Sequence, residues 1–198
     1  FKYIEISSIS GRNIDSLKDL IIEESKSHSY MGEKIPTNYL KVEKMLIEMR
    51  KENKIKNDLP LMKMKDFIER IQKSIKIKED EIKRGISLLH MWGECIYFES
   101  SEILKEYIIL DPKFLTKQVL SNLFHPNHKE YLIDGKLNHS KLKIIWKDYE
   151  KYCEFLIELM EKFEVCFEMN KESSKDFYER TSIITSYLPM KAPEIFEK

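Results

Sequence analysis

Leu89-His90-Met91-Trp92-Gly93-Glu94-Cys95-Ile96-Tyr97-Phe98 is the stretch in which the chain changes its period. Up to Trp92 the apolar residues Ile82, Ile86, Leu89 and Trp92 recur at three- and four-residue steps, the spacing of one helical face. Gly93 then supplies the left-handed backbone that closes helices without a Cβ clash. Beyond it Cys95-Ile96-Tyr97-Phe98 is a short apolar run, and Tyr107-Ile108-Ile109-Leu110 is a second; both read as strands. The switch predicts an α+β, mainly helical chain: helices before Gly93 and short strands among helices after it.

Working back from Gly93, Asp80 is expected to start the helix that carries the Ile82 face. Met64, Phe67, Ile68, Ile71 and Ile75 form an earlier helical stripe, and Lys51 to Asp58 reads as a charged connection before it. Tyr39, Val42, Leu46 and Met49 give the helix that opens at Ile35-Pro36-Thr37, where Pro36 restricts its predecessor and Thr37 can cap. Glu23 to Lys34 is polar and reads as a helix end running into a linker. Before it, Asp15 or Ser16 is expected to cap a helix bearing Leu17, Leu20 and Ile21. Ser7 to Asn13 is loop, and Phe1 to Ile6 alternates as a short strand does.

Working forward, Asp111-Pro112 is a strong helix start, since Asp caps and Pro is pre-shaped for the first turn. Leu115, Val119 and Leu123 give that helix its face. Asp134-Gly135 within Tyr131 to Leu137 is a hairpin signal. A short helix through Leu142, Ile145 and Trp146 follows, then a longer one through Cys153, Leu156, Met160 and Phe163. Glu164 to Met169 alternates with Val165, Phe167 and Met169 on one side, and a last strand is expected near Ile183 to Leu188. Strand–loop–strand after packed helices is a winged-helix-like pattern, so the helical N-terminal part leads into a winged-helix-like subdomain with short antiparallel strands.

Lys+Arg and Asp+Glu are both 34, a formal net charge of zero. A nucleic-acid binder needs a basic excess to neutralise phosphates, and attachment to acidic membranes needs the same, so both partners are disfavoured. No apolar run approaches the roughly 20 residues that span a bilayer, which argues against direct membrane insertion. The start, Phe1-Lys2-Tyr3-Ile4-Glu5, has neither an initiator Met nor a signal peptide's apolar stretch, and reads as the middle of a strand of a larger protein. Three widely spaced cysteines, Cys95, Cys153 and Cys166, sit in apolar patterns; buried free thiols in a reducing, cytoplasmic setting are the simplest reading.

The chemistry-bearing residues are few. Five glycines, with no GxxxxGK[ST] and no Asn-Lys-x-Asp, leave nothing to cradle phosphates or read guanine, so the chain by itself holds no GTP, GDP or Mg and no catalytic residue is assigned. Kinase signatures are likewise missing. His125 and His128, with His139 nearby, suggest a metal pair, but no cysteine or carboxylate cluster completes a ligand set, and exposed loop histidines are preferred. Lys113, Lys117, Gln118 and Asn122 on the helix after Asp111-Pro112 are the residues a nucleic-acid reader would use, a modest set. Trp92 and Trp146 read as core residues, or as anchors against a neighbouring domain.

Two stretches together resemble a known family. Tyr3-Ile4-Glu5-Ile6-Ser7-Ser8-Ile9 looks like the fifth guanine-nucleotide motif of Ras-like GTPases, a strand ending in Ser-Ala-Lys. Ser7 matches the motif Ser, Ser8 stands where Ala is usual, and Ile9 departs from Lys. The segments Ile35-Pro36, Leu89 to Phe98, Ile109-Leu110-Asp111-Pro112-Lys113-Phe114-Leu115, Asp134-Gly135-Lys136-Leu137 and Leu156 to Val165 resemble, in order and spacing, the COR domain of ROCO proteins. The nearest likeness is to leucine-rich-repeat kinases and amoebal ROCO kinases. The resemblance implies the closing strand and helix of a Roc GTPase domain at 1–25, a linker at 26–34 and the first half of COR at 35–198. It further implies that Ser7 and Ser8 are a remnant of the guanine-base loop, and that GTP, GDP and Mg belong to the parent's Roc domain. The implied partners are that Roc domain, the second half of COR and a second copy of the parent, with a serine/threonine kinase domain downstream in many members.

Overall fold

The computed structural model describes residues 3–29, 31–32, 34–56, 59–169 and 176–188. The chain divides into two units, Phe1–Thr37 and Asn38–Lys198.

The first unit carries the helix α1 (Ile14–Lys26), and none of its residues is buried. Its start departs from expectation. The N-cap is Asn13, in the left-handed region at φ 59°, and its Nδ2 donates to Glu5 O at 2.9 Å. Asp15 and Ser16 lie inside the first turn, where Asp15 pairs with Lys18 at 2.9 Å. The strand expected at 1–6 is not formed over its described part, residues 3–6. A strand exists only through its ladder, and among the described residues of this unit no second strand is available to pair with it.

All of α2 (Thr37–Lys56) but its first residue lies in the second unit, and its Val42, Leu46 and Met49 are buried as the periodicity predicts. Residues 51–56, expected as a connection, continue the helix, because Lys and Glu are good helix formers and Glu52 is held by Arg70 Nη2 at 2.6 and 2.7 Å. Asn57 and Asp58 of that expected connection lie outside the described residues. A three-residue strand that sequence reasoning missed, β1 (Leu61–Lys63), leads into α3 (Met64–Ser74), which buries Met64, Phe67, Ile68 and Ile71. Ile75 ends it in extended backbone. In α4 (Glu79–Met91) Ile82, Ile86 and Leu89 are buried, and Gly93 follows at φ 75°. Trp92 does not complete that face. It is 45% exposed, because it is the C-cap and the chain turns away there.

After Gly93 the expected first strand reduces to a single bridge, Ile96 to Ile109, while β2 (Tyr107–Ile109) pairs antiparallel with β1. These three short segments form a wall between two cores. On one side Leu61, Ile96 and Ile109 join a core built on Trp146, Leu156 and Met160. On the other Cys95, Tyr97, Ile108 and Leu110 join a core built on Val42, Phe67 and Ile86. Successive side chains of a strand point to opposite faces, so an all-apolar run such as Tyr107 to Leu110 serves both.

Beyond the wall Asp111 Oδ1 accepts from Lys113 N at 3.1 Å, the expected helix cap. The helix that follows winds as a π-helix over Leu115–Leu120 and ends as α5 (Ser121–Leu123), burying Leu115, Val119 and Leu123. The hairpin of β3 (Leu132–Ile133) and β4 (Lys136–Asn138) turns on Asp134 and Gly135, both at positive φ (51° and 75°), as the Asp-Gly signal predicts. Short α6 (Leu142–Ile145) and longer α7 (Cys153–Lys162) follow. Next come β5 (Cys166–Met169) and β6 (Thr181–Ile184), completing an antiparallel sheet of order β3-β4-β6-β5. The last strand thus ends at Ile184, and Thr185–Tyr187 is a 3-10 turn.

Along β5 the residues between the expected Val165, Phe167 and Met169 are the more deeply buried ones. Cys166 is buried and the Glu168 side chain is nearly so, while Phe167 is 55% exposed. Glu168 takes the inner place because Arg180 Nη1 lies 3.1 Å from its Oε1 and its N–H donates to Glu161 Oε1 at 2.6 Å. Phe167 consequently lies in a cross-strand row with Ile183, Lys136 and Ile133 on the outer face. The whole is a mainly helical α+β chain with two small antiparallel sheets.

Candidate functional site

In the first unit, the loop carrying Ser7 and Ser8 is closed by its own hydrogen bonds. Ser7 N–H donates to Arg12 O at 3.2 Å, Ser7 Oγ accepts from Ser10 N–H at 3.2 Å, and Gly11 turns the chain at φ 72°. Ser7 is half-buried; Ser8 is exposed and Ile9 wholly so. Ser7 thus closes the loop and Ser8 lies at its exposed rim.

In the second unit the histidines singled out for chemistry make hydrogen bonds within the fold. His125 is exposed and its Nδ1 accepts from Asn127 N–H at 3.3 Å, a cap for the turn that follows. His128 is half-buried and its Nδ1 lies 2.7 Å from Asn122 O. His139 is not a loop residue at all: it is fully buried, between Phe177 O (3.0 Å) and Ser182 Oγ (2.8 Å). No group of three or more His, Cys, Asp or Glu able to hold a metal occurs among the described residues.

All three cysteines are buried. Burial pushes the Cys95 thiol up to about 12 and the Cys153 thiol to about 11, since a thiolate in apolar surroundings loses its hydration. They are core thiols. Trp146 is fully enclosed and its Nε1–H donates to Val119 O at 3.1 Å, so it fastens α6 to the π-helical turn. Lys113, Lys117 and Gln118 are exposed on that helix and Asn122 is half-buried.

The principal charged junction was missed by sequence reasoning. Arg50 of α2 donates through Nε to Leu110 O at 2.8 Å, and through Nη2 to Glu94 O and to Glu94 Oε2 (3.0 Å). It joins α2 to the segment after α4 and to the end of β2. The sequence held no signal for it, because a lone Arg in a charged helix looks like any solvated cation. No helix among the described residues is long and apolar enough to cross a membrane.

Comparison with known proteins fits this architecture to a family. A family model described as the COR-A domain, C-terminal of Roc, matches residues 36–188. The probable serine/threonine-protein kinase pats1 of Dictyostelium discoideum is 34% identical over 194 residues, which is 96% of this chain and 6% of that protein. Cyclic GMP-binding protein C of the same organism is 27% identical over 169 residues, 82% of this chain and again 6% of that protein. The Roc-COR-CHAT protease of Runella zeae is 27% identical over 166 residues, 83% of this chain and 17% of its own length. Among solved structures, Methanosarcina barkeri Roco2 RocCORdC bound to GDP has a similar fold, with a TM-score of 0.65 at 19% identity over 92% of this chain and 53% of that one.

Proposed function

The chain belongs to the COR-A family of ROCO proteins, and on that premise we propose that it is a non-catalytic relay within a much longer protein. It packs on the parent's Roc GTPase domain and passes the GTP or GDP state of that domain to dimerisation and to a downstream kinase. The observation that carries the reading is the order of the similarities. The family match begins at residue 36, whereas likeness to the kinase-named amoebal protein takes in 96% of the chain and so extends upstream of it. In this reading residues 1–25 are the end of a Roc domain, 26–34 the linker and 35–198 the first half of COR. In this reading GTP, GDP and Mg belong to the parent's Roc domain, with Ser7 and Ser8 at its guanine-base loop.

The two cores on one wall support the relay, because a rigid body converts a small shift at one end into a displacement at the other. The chain spans about 6% of the length of the two amoebal relatives described above, so the activity lies with the parent. The test is to replace Ile35 and Pro36, where the linker meets COR, with glycine in the Roc–COR parent, which loosens that junction. The expected result is a several-fold change in GTP hydrolysis or in the dimerisation constant. If both are unchanged, the relay does not pass through this linker and the proposal fails.

A further inference from the structure

A groove of about 310 Å³ opens between α2 and the helix that follows Asp111-Pro112. Four cations line it, Arg50 and Lys54 from α2 and Lys113 and Lys117 from the second helix, against one carboxylate, Asp111. The chain as a whole is formally neutral, so this is a local concentration of positive charge. Asp111 offsets Lys54, whose Nζ lies 3.5 Å from its Oδ2, and Glu94 offsets Arg50 at 3.0 Å, so the uncompensated positive charge of the groove is that of Lys113 and Lys117. Asp111 Oδ1 accepts from the Lys113 N–H at 3.1 Å.

The donors are held ready. Arg50 is anchored through Nε and Nη2, which leaves Nη1 as the guanidinium nitrogen outside those bonds. Gln118 Oε1 accepts from the Tyr149 hydroxyl at 2.8 Å, leaving the amide NH₂ as a donor. The ammonium groups of Lys113 and Lys117 make no ion pair or hydrogen bond with the described residues. A guanidinium edge, an amide and three ammonium groups supply more donors than one carboxylate accepts. They suit a tetrahedral dianion with three terminal oxygens. Pro60 and Phe114 add an apolar wall, which favours an anion carried on a chain over a bare ion.

We propose that this groove binds a phosphate dianion carried by a phosphorylated serine or threonine of a partner segment. The experiment is calorimetric titration of the 198-residue chain at fixed ionic strength. Four probes are used: acetyl-Gly-Gly-phosphoserine-Gly-Gly-amide, its glutamate counterpart, inorganic phosphate and a short DNA duplex. The phosphoserine peptide is expected to bind about tenfold more tightly than the glutamate peptide, as dianion recognition by convergent donors requires. Lys113→Gln with Lys117→Gln is expected to lower that affinity about tenfold, and the equally charged control Lys129→Gln with Lys136→Gln to leave it unchanged. All four positions are exposed, so the variants fold. Equal loss in the control pair, or equal binding of the glutamate peptide, overturns the site. Equal affinity for inorganic phosphate keeps the dianion site but overturns the peptide as its source. Tighter duplex binding with the same two-lysine dependence overturns the proposal in favour of a nucleic acid.

Discussion

The imidazole of His139 lies between two oxygens, Phe177 O at 3.0 Å and Ser182 Oγ at 2.8 Å. A carbonyl can only accept, so Nδ1 carries the proton and Nε2 accepts from the serine hydroxyl. Burial is the main influence on its pKa and lowers it below the ordinary 6.5, with Arg180 acting in the same sense. Glu168, the Phe177 carbonyl and Glu161 oppose it. Below about pH 6.5 the unfolded chain takes up this proton before the folded one does. Its stabilising contribution is therefore whole above that pH and falls as pH drops towards the lowered value. Thermal unfolding followed between neutral pH and about pH 5 should show a falling Tm, and His139→Gln should flatten that slope. The same substitution should cost about 1–3 kcal/mol at neutral pH, because one or both buried partners lose their hydrogen bond. An unchanged slope would remove His139 as its source. None of this was legible locally: Asn138-His139-Ser140 is a polar stretch, and Ser182 lies 43 residues away in sequence. The cysteines were legible, because their apolar neighbours are adjacent in sequence.

At the scale of elements, what could be read was what is coded within one turn. Asp111-Pro112 capped its helix and Asp134-Gly135 turned its hairpin because the required backbone is a property of those residues themselves. Strand β1 escaped because three residues are too few for a period to show. The burial of Glu168 escaped for another reason: it pairs with Arg180, which stands just before β6 and is 12 residues away in sequence. Arg50 is the plainest case of a tie between elements. Replacing it with Met keeps the packing of its stem but strips the donor from Leu110 O and Glu94, at a cost of about 2–4 kcal/mol. Lysine should restore little of that, since one ammonium cannot reproduce the forked geometry that reaches both acceptors. Denaturant midpoints of the two variants test this; a lysine variant as stable as the parent would show that charge alone is what matters.

For the second unit as a whole, the wall of β1, β2 and the Ile96 bridge makes the two cores share a boundary. Sequence reasoning had the raw signal, since four successive apolar residues at Tyr107 to Leu110 mean that both faces of a strand are covered. Which helices cover which face is a property of the tertiary fold, and no local pattern holds it. Ile108→Ala opens a cavity only on the Phe67 side, at a cost of about 2–5 kcal/mol. With a common wall, amide exchange should quicken in α7 as well as in α3, by similar factors. Faster exchange confined to α3 would show that the two cores open independently.

The unequal surroundings of Trp92 and Trp146 have an optical consequence. One indole is enclosed and hydrogen-bonded inside the protein, and the other is 45% exposed at the end of α4. Emission from the enclosed ring comes from an apolar medium at shorter wavelength, and emission from the exposed ring is reddened by water and open to ionic quenchers. The native chain thus carries two lamps of different colour. The red one sits on the surface beside Gly93, where the helices give way to the wall, and a docking partner that covers that corner would announce itself by turning the red lamp blue while the other stays as it was.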